Sequence, residues 1–162
     1  MKTIIKTVLY LQITALLVTA AFAGNESAQK GVPFRGSIQA VEMSVVQPPT
    51  LFVDASGSGN TTQLGRFTVT YEVEVNLSSR ASIGSAHFIA ANGDSLFTEF
   101  IGQGNPIEGS DFSFIVETST ITGGTGRFAG ATGSFTVERL LNRVTGITSG
   151  WFDGTIVIAK GK

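Results

Sequence analysis

The chain has 162 residues, room for one ordinary domain, with Lys+Arg 11 against Asp+Glu 12 and no cysteine. A near-neutral balance with no basic cluster argues against a nucleic-acid interface, and the missing cysteines exclude thiol catalysis, disulfides and thiolate metal sites. With 12 Phe and 20 Gly and only 14% charged residues, the composition supplies a dry core and many turns, which excludes a disordered chain.

Residues 1–23, MKTIIKTVLYLQITALLVTAAFA, have the three parts of an export leader. Lys2 and Lys6 form a positive start, residues 8–21 an apolar run, and Ala21-Phe22-Ala23 a small-residue cleavage site. A membrane anchor is the rival reading, but the apolar run is short against the roughly 20 residues that a span needs. The expectation is a cleaved signal peptide at 1–23 and a secreted or periplasmic mature chain with no membrane span. Residues 24–32 read as a flexible N-terminal segment and 33–160 as the folded domain.

The domain opens with an extended run over 32–43, where Gly36 suggests a bulge. Pro48-Pro49 breaks it, 50–53 resumes briefly, and ASGSGNTT at 55–62 reads as a loop. Residues 63–76 are the clearest strand: Phe67, Val69, Tyr71, Val73 and Val75 alternate with Thr68, Thr70, Glu72 and Glu74. That period of two predicts a sheet with one dry face and one wet face. Strands follow over 81–90 and 95–102, joined at Asn92-Gly93 as a two-residue hairpin that pairs Ala91 with Asp94. A strand over 111–122 places Phe112, Phe114 and Val116 on one face. A strand over 133–139 and a closing strand over 147–159 complete about eight.

Between the sixth and seventh of these lies TGGTGRFAGATGSF (122–135). Its glycines exclude a helix, since each costs roughly 1 kcal/mol against alanine in a helix interior. Gly124–Ala129 matches the pattern GxGxxA, but a dinucleotide site needs a helix immediately after it, and here a strand follows. The stretch predicts a sharp turn feeding a tightly packed strand, with Phe128 as a buried plug.

Read together, LGRFTVTYEVEVN, AHFIAANGDSLFTEFIGQG, ETSTITGGTGRFAGATGSFTVER and SGWFDGTIVI resemble the small bacterial exported proteins with an allene oxide cyclase-like barrel. More distantly they are similar to plant allene oxide cyclases and dirigent proteins, which share the GG[TS]GxF mark seen here at Gly123–Phe128. The resemblance spans about residues 33–160. It implies an all-β fold, an eight-stranded antiparallel β-barrel with an apolar pocket, and a homo-trimer as in the plant relatives. The catalytic positions of those enzymes do not align residue by residue here, so no particular chemistry is implied.

The candidate site residues are few. Glu99 and Glu117 each interrupt a strand rich in Phe and Ile. Turned inward, such a carboxylate is desolvated and suited to proton transfer; turned outward, it is solvated and ordinary. Arg127 and Arg139 are possible internal partners. The two-residue hairpin places the single histidine, His87, opposite Thr98 and beside Glu99, as either a general base or a half-exposed strand residue. Phe67, Tyr71, Phe112, Phe114 and Phe135 are candidate pocket lining. No metal site and no cofactor are expected. The leading functional expectation is a barrel that holds a small hydrophobic ligand without catalysis. The alternatives are an isomerase or cyclase acting on an oxidised lipid or terpenoid-like molecule, with Glu99 or Glu117 steering charge, and a structural, oligomer-forming role.

Overall fold

The computed structural model describes residues 30–159, so the leader-like segment at 1–23 and most of 24–32 lie outside the described residues. Eight strands follow one another: β1 (Val32–Gln47), β2 (Thr50–Thr61), β3 (Gly65–Asn76), β4 (Ala81–Ala90), β5 (Ser95–Pro106), β6 (Phe112–Gly124), β7 (Thr132–Asn142) and β8 (Ile147–Val157). Each pairs antiparallel with the next, and β8 pairs back onto β1, so the sheet closes into a barrel with no free edge. Among the described residues a single 3-10 turn, Gly126–Phe128, interrupts the strand sequence.

The alternation in β3 reads straight into the fold. Phe67, Val69, Tyr71 and Val73 are buried, and the residues between them are exposed. Elsewhere the structure departs from the sequence expectation. The stretch at 55–62 is no loop: β2 runs unbroken through it and pairs residue for residue with β1 and β3. Its glycines are inward positions where neighbouring atoms take the space. A β-carbon at Gly59 would lie 2.5 Å from the Phe67 ring and 2.0 Å from the Ser37 carbonyl oxygen. Gly36 sits in regular register with both neighbours, and the irregularity falls instead in the β5–β6 pairing at Phe97/Thr98.

The β4–β5 hairpin is a residue longer than the Asn-Gly pair suggests. Ala90 N–H donates to the Asp94 carbonyl at 2.9 Å, and Ala91, Asn92 and Gly93 form a three-residue loop with Gly93 at φ +88°. This shifts the register by one, so His87 lies opposite Phe97, not Thr98. Directly paired residues share a face, and a one-residue slip exchanges faces. His87 is therefore on the outside, its Nε2 2.9 Å from Ser95 Oγ and its ring 4.8 Å from that of Phe97, while Thr98 faces inward.

The barrel is filled solid in one half. Phe34, Phe67, Phe88, Phe135 and Phe152 cluster with ring centroids 5.0–6.3 Å apart, each pair adding about 0.5–1.5 kcal/mol beyond its burial. The glycine-rich stretch caps this end. Phe128 is fully buried, and Arg127 lies over its ring at 4.7 Å and donates to the Gln63 carbonyl. Asp94 accepts from the Arg127 N–H, and Gly126 turns at φ +55° beside it. A β-carbon at Gly126 would fall 1.8 Å from Asp94 Oδ1, so any other residue would have to displace that carboxylate as well as bear the positive φ. The expected plug is present, and β7 rather than a helix follows it.

Candidate functional site

The opposite half of the barrel is hollow. A chamber of about 310 Å³ opens at the end carrying the β1–β2, β3–β4, β5–β6 and β7–β8 turns. Its walls are Leu51, Val53, Val73, Val75, Ile115 and Leu141. They are apolar because these strands place alternate residues inward, and the ones near this end are aliphatic instead of aromatic.

The floor of the chamber is a buried polar network. Arg139 on β7 is 5% exposed, and its guanidinium grips Glu117 on β6 with two parallel hydrogen bonds, Nη2 to Oε1 at 2.8 Å and Nε to Oε2 at 3.0 Å. Arg139 Nη1 donates to Glu42 Oε1 on β1 and, at 3.1 Å, to Thr148 Oγ1 on β8. Tyr71 on β3 donates its phenol O–H to Glu42 Oε1 at 2.9 Å, with the Arg139 guanidinium 5.5 Å from its ring. Five side chains from five strands thus meet across the barrel. A paired, hydrogen-bonded arrangement of this kind is the condition under which buried charge is tolerated.

The electrostatics follow from burial and pairing. Burial raises the Tyr71 phenol above its usual range, and Glu42 adds to this against the opposing pull of Arg139. Burial by itself would lower the Arg139 guanidinium, but Glu117 and Glu42 outweigh it and hold the cation above its usual range. Tyr71 is therefore a neutral hydrogen-bond donor and Arg139 a permanent cation. Tyr71 is also the sole tyrosine outside residues 1–23, so its titration can be followed alone in protein lacking that segment. The linkage sign is set by the raised phenol: its contribution to stability is intact below the unfolded-state pKa near 10 and is lost as pH rises from there through the folded value. We expect tyrosinate absorbance to appear only together with loss of the fold during an alkaline titration. Absorbance rising near pH 10 in a chain that keeps its far-ultraviolet dichroism would contradict the buried placement.

Three of the expected site residues turn out to lie outside the barrel. Glu99 is exposed on the outer face, in a shallow external groove with Asp54, Glu72 and Glu74. Its neighbours Thr98 and Phe100 take the inward positions of β5, which leaves the glutamate outside. Phe112 and Phe114 also face out, because β6 puts Ser113, Ile115, Glu117, Ser119 and Ile121 inside. Phe114 instead lines a second external groove with Leu140 and Trp151. Glu117 does face inward, but bound to Arg139 instead of standing unpaired. Of the other expected lining residues, Phe67 and Phe135 belong to the solid half, and Tyr71 stands at the boundary. Arg127 is at the capped end, far from either glutamate along the barrel.

Glu42, Thr148 and Arg80 were not singled out by sequence. Glu42 had a usable signal, a charge inside the apolar run Ala40–Val46. Thr148 and Arg80 had none. Arg80, in the β3–β4 turn, is the one non-glycine residue with positive φ among the described residues, at 61°, and it lines the rim with Arg143. Below the network lies a separate void of about 30 Å³, lined in part by Thr98, whose buried Oγ1 has no hydrogen-bond partner. No cluster of three or more metal-ligating side chains is found among the described residues.

Comparison with known proteins supports the architecture. No family model matches the chain, and a search of curated proteins finds no match. Among solved structures, the pterocarpan synthase dirigent protein GePTS1 superposes with a TM-score of 0.61 at 14% identity, over 82% of this chain and 87% of that one. The chain has a dirigent-like barrel fold; at that identity the likeness extends to the fold alone.

Proposed function

We propose that this protein binds one small, largely apolar molecule in the open half of the barrel, and that the leader-like segment at 1–23 sends it out of the cytoplasm. The observation that carries the first part is the contrast between the two halves. One is packed with phenylalanine, while the other keeps an apolar-walled chamber of about 310 Å³ over a preorganised polar floor. Apolar walls with a few convergent polar groups are the usual make-up of a small-molecule site. The test is titration with a neutral solvatochromic probe such as N-phenyl-1-naphthylamine. Saturable one-to-one binding is expected, abolished by Leu51→Trp, which fills the chamber from its wall, with little change in unfolding midpoint. Absence of saturable binding to the unmodified protein would overturn the reading. Native mass spectrometry of protein taken from its own host would then identify the natural occupant.

A second reading, cyclase or isomerase chemistry of the allene oxide cyclase type, is favoured by the floor itself. A neutral phenol donor and a net negative network beside an apolar chamber suit a reaction that develops positive charge in the substrate. The dirigent protein of like fold is described as a synthase, so such a barrel is compatible with catalysis. This reading requires turnover of an epoxide substrate that falls with Glu42→Gln; a rate equal to the uncatalysed one removes it and leaves passive binding.

A further inference from the structure

We propose that the chamber selects an elongated ligand by polarity, with an anionic group such as a carboxylate at its outer end and a hydrogen-bond donor at its inner end. This rests on the chamber being a ligand site. The rim and the floor differ in sign. At the rim, Arg80 and Arg143 line the opening, and among the described residues the only carboxylates lining the chamber, Glu42 and Glu117, belong to the floor. Arg143 spends its hydrogen bonds on the Ser110 and Asp111 carbonyls, which leaves its charge unneutralised. The Arg80 guanidinium has no hydrogen-bond or ion-pair partner among the described residues, although its backbone is held at φ 61° in the β3–β4 turn. Glycine takes that conformation without steric cost, and an arginine does not. Backbone strain of this kind concentrates at ligand sites, and here it holds an uncommitted charge at the pocket mouth.

The floor has the opposite demand. Two carboxylates share one guanidinium, so the network carries a net negative charge when both are ionised. Glu42 Oε1 takes both the Tyr71 and the Arg139 bonds, and Oε2 takes none. Glu42 lines the chamber, and among the described residues Thr98 Oγ1 is the one sealed side-chain polar atom without a partner, so Oε2 is accessible to an occupant. A hydroxyl or other donor is what that oxygen accepts. From the Tyr71 row to the rim is five residues of a tilted strand, roughly 13 Å of height, with aliphatic walls between. A plain hydrocarbon leaves both polar ends unanswered.

The experiment is competition against the neutral probe with three matched compounds: ω-hydroxyoctanoate, octanoate and octanediol. ω-Hydroxyoctanoate is expected to displace best, about fivefold better than octanediol, the gain of one partly exposed ion pair. In Arg80→Gly, a substitution that relieves the turn, the unfolding midpoint is expected to hold or rise while that preference shrinks toward one. Equal displacement by the hydroxy acid and the diol overturns the polarity proposal and leaves the chamber reading standing. A preference that persists undiminished in Arg80→Gly overturns the part given to Arg80. Failure of the probe itself to bind takes down both.

Discussion

Arg139→Met is expected to cost about 3–5 kcal/mol of folding stability, because it leaves Glu42 and Glu117 buried with no cation between them. The exposed pair Arg35–Asp153, at 3.0 Å with both side chains more than 60% exposed, gives the scale: breaking such a pair costs at most about 1 kcal/mol. Urea unfolding of the variant beside the unmodified protein at neutral pH measures the loss. Adding Glu42→Gln and Glu117→Gln to Arg139→Met should recover most of the loss, since neutral amides are far cheaper to bury. A loss below about 1 kcal/mol at neutral pH would mean that the guanidinium does not hold the two carboxylates.

Phe128→Ala is expected to cost a similar amount, about 3–5 kcal/mol, by a different route. The ring is fully buried, and it seals the capped end of the barrel under the turn that Gly126 and Asp94 hold rigid. Truncating it leaves a cavity, and that turn cannot collapse to fill it. The mouth chamber is at the other end and shares no lining residue with this plug. Probe affinity should therefore stay within about twofold while the denaturation midpoint falls, since distant sites act independently. The two variants thus separate the roles of the two ends. Arg139→Met acts at the chamber, which Arg139 lines, whereas Phe128→Ala is expected to alter stability alone. A Phe128→Ala protein as stable as its parent would show that the stretch is a loose surface turn and not a plug.

Much of the barrel was legible residue by residue. β3 declared its faces because one alternate set is wholly apolar and the other wholly polar, so only one orientation buries the right atoms. The plug was legible because so many glycines around one phenylalanine admit few conformations. β2 was not: its Ala-Ser-Gly-Ser-Gly run has the composition of a loop, and it is a strand only because Phe67, from the neighbouring strand, occupies the space above Gly59. β6 misled in the opposite way. It has apolar residues on both faces, and the more aromatic face, with Phe112 and Phe114, is the outer one. On the inner face, the adjacent strand β7 sets Phe135 beside Ser119 and Arg139 beside Ile115, and the buried Arg139 holds Glu117 inside.

Local pattern, then, determined the class of fold, the number of strands, the faces of β3 and the glycine-rich cap, since each depends on residues near one another in the chain. The site was decided by closure of the barrel. Glu42, Tyr71, Glu117, Arg139 and Thr148 come from five strands, spread over more than a hundred residues of chain, and no spacing rule relates them. Only the register of the closed sheet brings them to one level, and a slip of one residue in any of these strands would turn its member of the network outward.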